Sequence, residues 1–254
     1  MVYELNEINE KVRSLFAGWK ETLIYSCLQQ VMGKVFVTDV ENPESAAAFV
    51  GCFEFFAGVP DEELVRNKPE GFIIMTPQND GWSCLIEKCF PDAKKNTRYA
   101  IRKDTVFDRA HLEKMVALLP AGYEIRKIDS DLYDRCLLDP VTADFVSSFG
   151  TKEKFLAMGR GVVILKDGKI AAGASSYTRY REGIEIEVDT MPDERKKNLA
   201  TAACARLILN CLDENLYPSW DAQNLTSVHL AEKLGYRFDH EYTVYEVSSD
   251  MRTH

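Results

Sequence analysis

The stretch Ile184-Glu185-Ile186-Glu187-Val188-Asp189-Thr190-Met191-Pro192-Asp193-Glu194-Arg195-Lys196-Lys197-Asn198-Leu199-Ala200-Thr201 decides the fold. From Ile184 to Thr190 apolar and polar residues alternate at period two, the pattern of a strand with one buried face. Pro192 stops it. Leu199, Ala203, Leu207, Ile208, Cys211 and Leu212 then recur on one helical face, so an apolar helix begins directly after Arg195-Lys196-Lys197. Ala200, Ala202, Ala203 and Ala205 keep its first turns slim enough for a ligand or a sheet to approach the backbone. A helix start leaves backbone N–H groups unpaired and carries positive partial charge, so it attracts an anion such as a diphosphate. Alone, the basic triplet would read as solvated surface charge; the flanking strand and helix favour anion binding.

Downstream, Tyr217-Pro218-Ser219-Trp220-Asp221-Ala222-Gln223-Asn224 reads as a further strand, and Ser227 through Ala231-Glu232-Lys233-Leu234-Gly235-Tyr236 as a closing helix. Together these segments resemble the acyl-CoA-binding core of the GNAT superfamily of N-acetyltransferases. The loop of that superfamily reads Arg or Gln, two residues, Gly, one residue, then Gly or Ala. Arg195 fills the first place and Ala200 the last, while Asn198 stands where the family prefers Gly. Asn is among the few residues that tolerate left-handed backbone angles. The wording around Trp220-Asp221, Asn224, Ser227 and Ala231 to Tyr236 is similar to the zwittermicin A resistance acetyltransferase branch.

The resemblance implies an α/β (α+β) fold: a mixed, largely antiparallel sheet flanked by helices, with acetyl-CoA as acyl donor. It implies direct attack of a primary amine of a small molecule on the thioester. Backbone N–H groups of Lys197, Asn198, Leu199, Ala200 and Thr201 would hold the diphosphate, with Arg195 and Lys196 beside them. The edge of Val188 to Thr190 would pair with the amides of the pantetheine arm, and Asn224 and Ser227 would contact that arm as well. For the general base, Glu185 and Glu187 share one strand face continued by Asp189, and Glu187 is the first choice; each acid alone also reads as a solvated strand residue. Many family members carry a Tyr seven residues after the Asn as thiolate donor, but that place is Ala231 here. Ser227 or His229 could donate instead, and Tyr236, after the Gly235 helix stop, reads as packing.

Further outward, Val162-Val163-Ile164-Leu165 and Ile170 to Thr178 flank Asp167-Gly168, a hairpin signal. Glu241 to Val247 supplies a last strand, and Asp131 to Met158 reads as helical text. A boundary falls at Ala121-Gly122, giving residues 1–121 as a smaller N-terminal α/β domain and 122–254 as the acetyl-CoA-binding catalytic domain. In the first part Lys34 to Asp39, Ala46 to Phe56 and Phe72 to Thr76 read as strands, followed by a helix from Trp82 to Phe90 and a strand from Thr97 to Ile101. This order echoes the second part, so residues 1–121 are read as a degenerate GNAT-like half, against an unrelated α/β cap.

With 254 residues, 46% of them hydrophobic, the chain can bury a sizeable core. A net charge of −9 argues against generic nucleic-acid binding and suits a cationic amine. No apolar run approaches a membrane span, and Met1 to Glu7 lack an export pattern, so the expected location is cytoplasmic. No nucleic-acid or membrane partner is expected, and a homodimer stays open. Seven cysteines without a CxxC pair read as thiols, and Cys84 and Cys89 as small apolar residues of one helix. The histidines His111, His229, His240 and His254 are scattered, so no metal site is expected. Trp82 and Trp220 read as core residues. Two other classes remain: a CoA-binding regulatory or interaction protein of the same fold without turnover, and a Rossmann or P-loop nucleotide enzyme, for which neither GxGxxG nor GxxxxGK[ST] is present.

Overall fold

The computed structural model describes residues 1–248. In chain order the elements are β1 (Tyr3–Glu4), α1 (Glu10–Leu15), α2 (Thr22–Leu28), β2 (Lys34–Val37), β3 (Ser45–Val50), β4 (Phe53–Gly58), α3 (Glu62–Arg66), β5 (Phe72–Pro77), α4 (Asp80–Cys89) and β6 (Lys94–Ile101). There follow α5 (Arg109–Ala117), β7 (Tyr123–Lys127), α6 (Ser130–Cys136), α7 (Pro140–Ala143), α8 (Lys152–Met158), β8 (Gly161–Lys166), β9 (Lys169–Tyr180) and β10 (Gly183–Thr190). The last are α9 (Leu199–Asp213), β11 (Tyr217–Ser219), β12 (Asp221–Ala222), α10 (Leu225–Lys233) and β13 (Phe238–Ser248). The mixed α/β class expected from the sequence is present.

By contacts the described residues divide into Met1–Arg98 with residues 241–248, and Tyr99–His240. The turn at Ala121-Gly122 lies within the second unit, because α5 packs on α9 and buries Leu112 in that core. In the first unit the strand order is β1-β2-β3-β4-β5-β13-β6, with β4 and β5 parallel and α3 between them. Its core gathers Phe56, Ile73 and Met75 of the sheet with Leu64 of α3 and the buried Trp82 and Ile86 of α4. The run Ala46 to Phe56, read as one strand, is the hairpin β3–β4, turned at Gly51 with φ 61°. Cys84 is exposed on α4 whereas Cys89 is buried.

In the second unit the order is β11-β10-β9-β8-β7, antiparallel except for β10 and β11. Asp221 and Ala222 of β12 pair with Ala100 and Tyr99, so the expected single strand after Tyr217 is two short ones. The text from Asp131 to Met158 breaks into α6, α7, a 3₁₀ turn at Ser147–Phe149 and α8. Each restart carries its own cap: Asp139 accepts from the Val141 N–H and Thr151 from that of Lys154. One face of β8, β9 and β10, with Val162, Ala174, Ile184 and Ile186, packs under Ala203, Leu207 and Ile208 of α9. The opposite face takes α7, and a Cβ at Gly173 would stand 2.6 Å from the ring of Phe145.

Candidate functional site

Strand β10 is paired on both sides only at its beginning. Parallel pairing with β11 runs from Gly183↔Tyr217 to Glu185↔Ser219 and stops there. At the same point, between Glu185 and Ile186, the register against β9 shifts, an irregularity that re-aims a strand. Beyond it the Met191 N–H donates to the Ala171 carbonyl on the β9 side. Two-residue alternation then turns the peptide groups of Ile186, Val188 and Thr190 away from β9, along an edge that β11 does not reach. The chain's own carboxylates hold two of those donors: Glu187 Oε1 accepts from the Val188 N–H at 3.1 Å, and Asp189 Oδ1 from the Thr190 N–H at 2.6 Å.

This edge forms one wall of a cleft of about 640 Å³. The start of α9 forms the second wall, with Arg195, Lys196, Asn198, Leu199 and Ala200, and α10 the third, with Asn224, Ser227 and Leu230. Asn198 is the N-cap of α9, lies in the left-handed region with φ 60°, and makes no side-chain cap bond. By contrast α4, α5 and α10 begin with Asn79, Asp108 and Asn224, each accepting a backbone N–H. The first N–H groups of α9 have no intrahelical acceptor, so the positive end of a fifteen-residue helix opens onto the cleft. Lys196 is also left-handed, with φ 63°.

The basic triplet is divided. Arg195 and Lys196 are exposed at the cleft, with Arg195 Nε donating to the Thr190 carbonyl at 3.3 Å and its guanidinium 3.8 Å from Asp189. The Lys197 side chain is drawn elsewhere, to Glu194 Oε2 at 2.7 Å and the Asp193 carbonyl at 3.2 Å. Tyr123 also donates to Glu194, and Lys166 lies 3.4 Å from it. Bonds from Lys197 and Tyr123 hold the Glu194 carboxyl at about 2.

On α10, Asn224 Oδ1 accepts from the Ser227 N–H at 3.0 Å, and the Ser227 hydroxyl accepts from the Trp220 indole at 3.1 Å. Trp220 is buried. Tyr236 is buried too; its hydroxyl donates to the Pro218 carbonyl at 2.6 Å and its ring packs on Phe107 and Trp220. His229 is exposed and lies outside the cleft lining, as does Ala231. Gln223, Thr226 and Glu194 line the cleft without having been singled out from the sequence. Gln223, just before the α10 N-cap Asn224, and Thr226, in the first turn of that helix, were signalled only by standing close to Asn224.

The acids of β10 sit on the face opposite α9. Glu185 is buried and Glu187 and Asp189 are half-buried. Cross-strand partners share a face, so Thr178 accompanies Glu185 and Ser175 accompanies Glu187. Both hydroxyls are buried without a hydrogen-bond partner among the described residues. Asp144, beside α7, has its carboxyl raised by partial burial and by the charge of Asp189. The thiols of Cys204 and Cys211 in α9 are free and raised by burial. Among the described residues no group of three His, Cys, Asp or Glu is placed to hold a metal ion; His254 lies outside them.

A splayed strand pair, an uncapped helix start between the two strands and a cleft joining them are the features by which this fold can be compared. A family model for GNAT acetyltransferases matches residues 13–245. The chain belongs to the GNAT acetyltransferase family. As a GNAT-type N-acetyltransferase it belongs to a group of enzymes that use acetyl-CoA as donor. The crystal structure of a GCN5-related N-acetyltransferase-like protein from Streptococcus suis 89/1591 is similar at 48% identity and TM-score 0.89, covering 92% of this chain and 96% of that one. The uncharacterized N-acetyltransferase YdfB of Bacillus subtilis (strain 168) is 24% identical over 243 residues, 88% of this chain and 89% of that protein. A GCN5-related N-acetyltransferase from Kribbella flavida shares the GNAT fold at 14% identity, with TM-score 0.54 over 96% of this chain and 98% of that one. No helix among the described residues is long and apolar enough to cross a membrane.

Proposed function

We propose that this GNAT enzyme transfers the acetyl group of acetyl-CoA to a primary amine of a small molecule. One observation carries the reading: the uncapped start of α9 opens onto a cleft of about 640 Å³ beside the unpaired edge of β10. The diphosphate takes the N–H groups of Lys197 to Thr201 with the Arg195 and Lys196 side chains. The pantetheine arm lies along Val188 to Thr190, its amide carbonyl displacing a carboxylate from the Val188 or Thr190 N–H, with Asn224 and Ser227 opposite. The amine nitrogen would then attack the thioester carbonyl, the C–S bond would break, and the N-acetylated amine and CoA thiol would leave, the ammonium proton passing to a base and the thiolate taking one up.

Glu187 is assigned as the base that takes the ammonium proton, because it is half-buried where β10 parts from β11, while Glu185 lies deeper. Asp144, whose carboxyl is raised by partial burial and by the charge of Asp189, stands with Asp189 where the two supply a negative field for an ammonium group. The likeness of Trp220 to Tyr236 to zwittermicin A resistance acetyltransferases supports an antibiotic or amino-acid-like amine as acceptor. Calorimetry with acetyl-CoA, followed by CoA release in the presence of a panel of primary amines, tests the reading. Tight binding with turnover on one class of amine is expected. Glu187→Gln should lower kcat about a hundredfold and remove the acidic limb of its pH profile. Binding without turnover on any amine would favour a regulatory role, and absence of CoA binding would end the proposal.

A further inference from the structure

We infer that Lys233, at the end of α10, binds the diphosphate of the acyl donor and takes the part that the sequence pattern gives to the Lys197 side chain. The inference rests on the acetyl-CoA reading above. The positive charge of Lys197 is already engaged by Glu194 at 2.7 Å, within a cluster that also holds Lys166 and Tyr123. Lys233 differs. Its Nζ lies 3.3 Å from Asn198 Oδ1, the side chain of the α9 N-cap, and it has no carboxylate partner among the described residues. An ammonium group beside the positive end of a helix is repelled by it, and an anion bound between them removes that cost.

The geometry of α10 carries the same point. Leu230 lines the cleft, and Lys233, three residues further along α10 and itself outside the cleft lining, brings its ammonium to the cleft's edge at Asn198, which does line it. The backbone beneath it is pinned. His111 Nε2 lies 2.8 Å from the Lys233 carbonyl, donating its proton there, and the Tyr236 N–H returns to the Ala231 carbonyl at 3.1 Å. The side chain therefore projects from a fixed base, and only its flexible stem has to follow the phosphate.

The test is calorimetric titration of the full chain with acetyl-CoA and with its analogue lacking the ribose 3′-phosphate. Lys233→Met should weaken both ligands about tenfold and make binding less sensitive to salt, with the melting temperature of the free protein unchanged. Lys233→Arg should restore most of the affinity, and Lys197→Met should weaken binding far less than Lys233→Met. Exposed Lys154 of α8 serves as a control for charge alone, and Lys154→Met should leave affinity as it is. If the wild type binds neither ligand, the acetyl-CoA reading itself fails. If the wild type binds and Lys233→Met binds equally well, or loses affinity only for the ligand with the 3′-phosphate, the assignment of Lys233 to the diphosphate is overturned.

Discussion

Asn198 is the residue on which the cleft turns, since its left-handed backbone aims the next N–H groups outward while its carboxamide leaves them uncapped. A β-branched residue at φ 60° pays roughly 1–2 kcal/mol, whereas glycine pays little. Asn198→Val is therefore expected to lower unfolding free energy by about that amount and to weaken CoA binding. Asn198→Gly should keep affinity within a few-fold; denaturant melts and calorimetry read the two effects separately. Glu54 of β4 is a different case. Fully buried, with both carboxylate oxygens lacking a hydrogen-bond partner among the described residues, it has its carboxyl raised by burial to about 8, against a small opposing effect of Lys68. A raised folded value favours the neutral acid, so its stabilising contribution is complete below 4.5 and is lost as pH rises from there to about 8. Glu54→Leu should flatten that slope and raise stability at pH 8 by on the order of a few kcal/mol.

At the scale of elements, β10 shows what alternation alone discloses and what it does not. Period two from Ile184 to Thr190 marks the strand and separates its apolar face from Glu185, Glu187 and Asp189, because that pattern is local. Where β11 stops pairing is fixed by residues more than thirty positions away, so the open edge entered the sequence reading only through family resemblance. The same holds for Lys197, whose direction depends on Tyr123, Lys166 and Glu194 together, and for Lys233, whose relation to Asn198 needs two helices in place. Of the side-chain caps only Asn224 entered the sequence reading; the breaks within Asp131 to Met158 were missed although Asp139-Pro140 and Thr151 carry those signals. Since the Val188 N–H faces away from β9, Val188→Pro should leave the β9–β10 ladder intact by circular dichroism. It should still raise the Kd for acetyl-CoA at least tenfold, as one arm contact is deleted.

Across the whole molecule the order of elements occurs twice. With α5 and the two-residue β12 set aside, β1, α1, α2, β2, β3, β4, α3, β5, α4 and β6 are echoed by β7, α6 to α8, β8, β9, β10, α9, β11, α10 and β13, with a parallel pair around α3 and another around α9. We propose on this ground that residues 1–121 and 122–254 descend from two copies of one fold, the first degenerate. The helix starts tell them apart. At α3, Asp61 accepts from the Glu63 N–H at 2.8 Å, and Glu62 and Glu63 follow in the first turn, so the chain's own anions occupy the place that α9 leaves to a ligand. One acetyl-CoA per chain is the expected calorimetric stoichiometry; two would contradict this account.

The regular interval along α10 has a consequence for what insertions the molecule can bear. Each residue advances a helix by about 1.5 Å and turns it by about 100°. A single alanine slipped in after Leu230 would thus swing the terminal ammonium sideways off Asn198 while leaving composition, charge and helical length almost untouched. The segment behaves as a ruler, in which phase rather than chemical identity decides whether its last residue arrives where it is wanted.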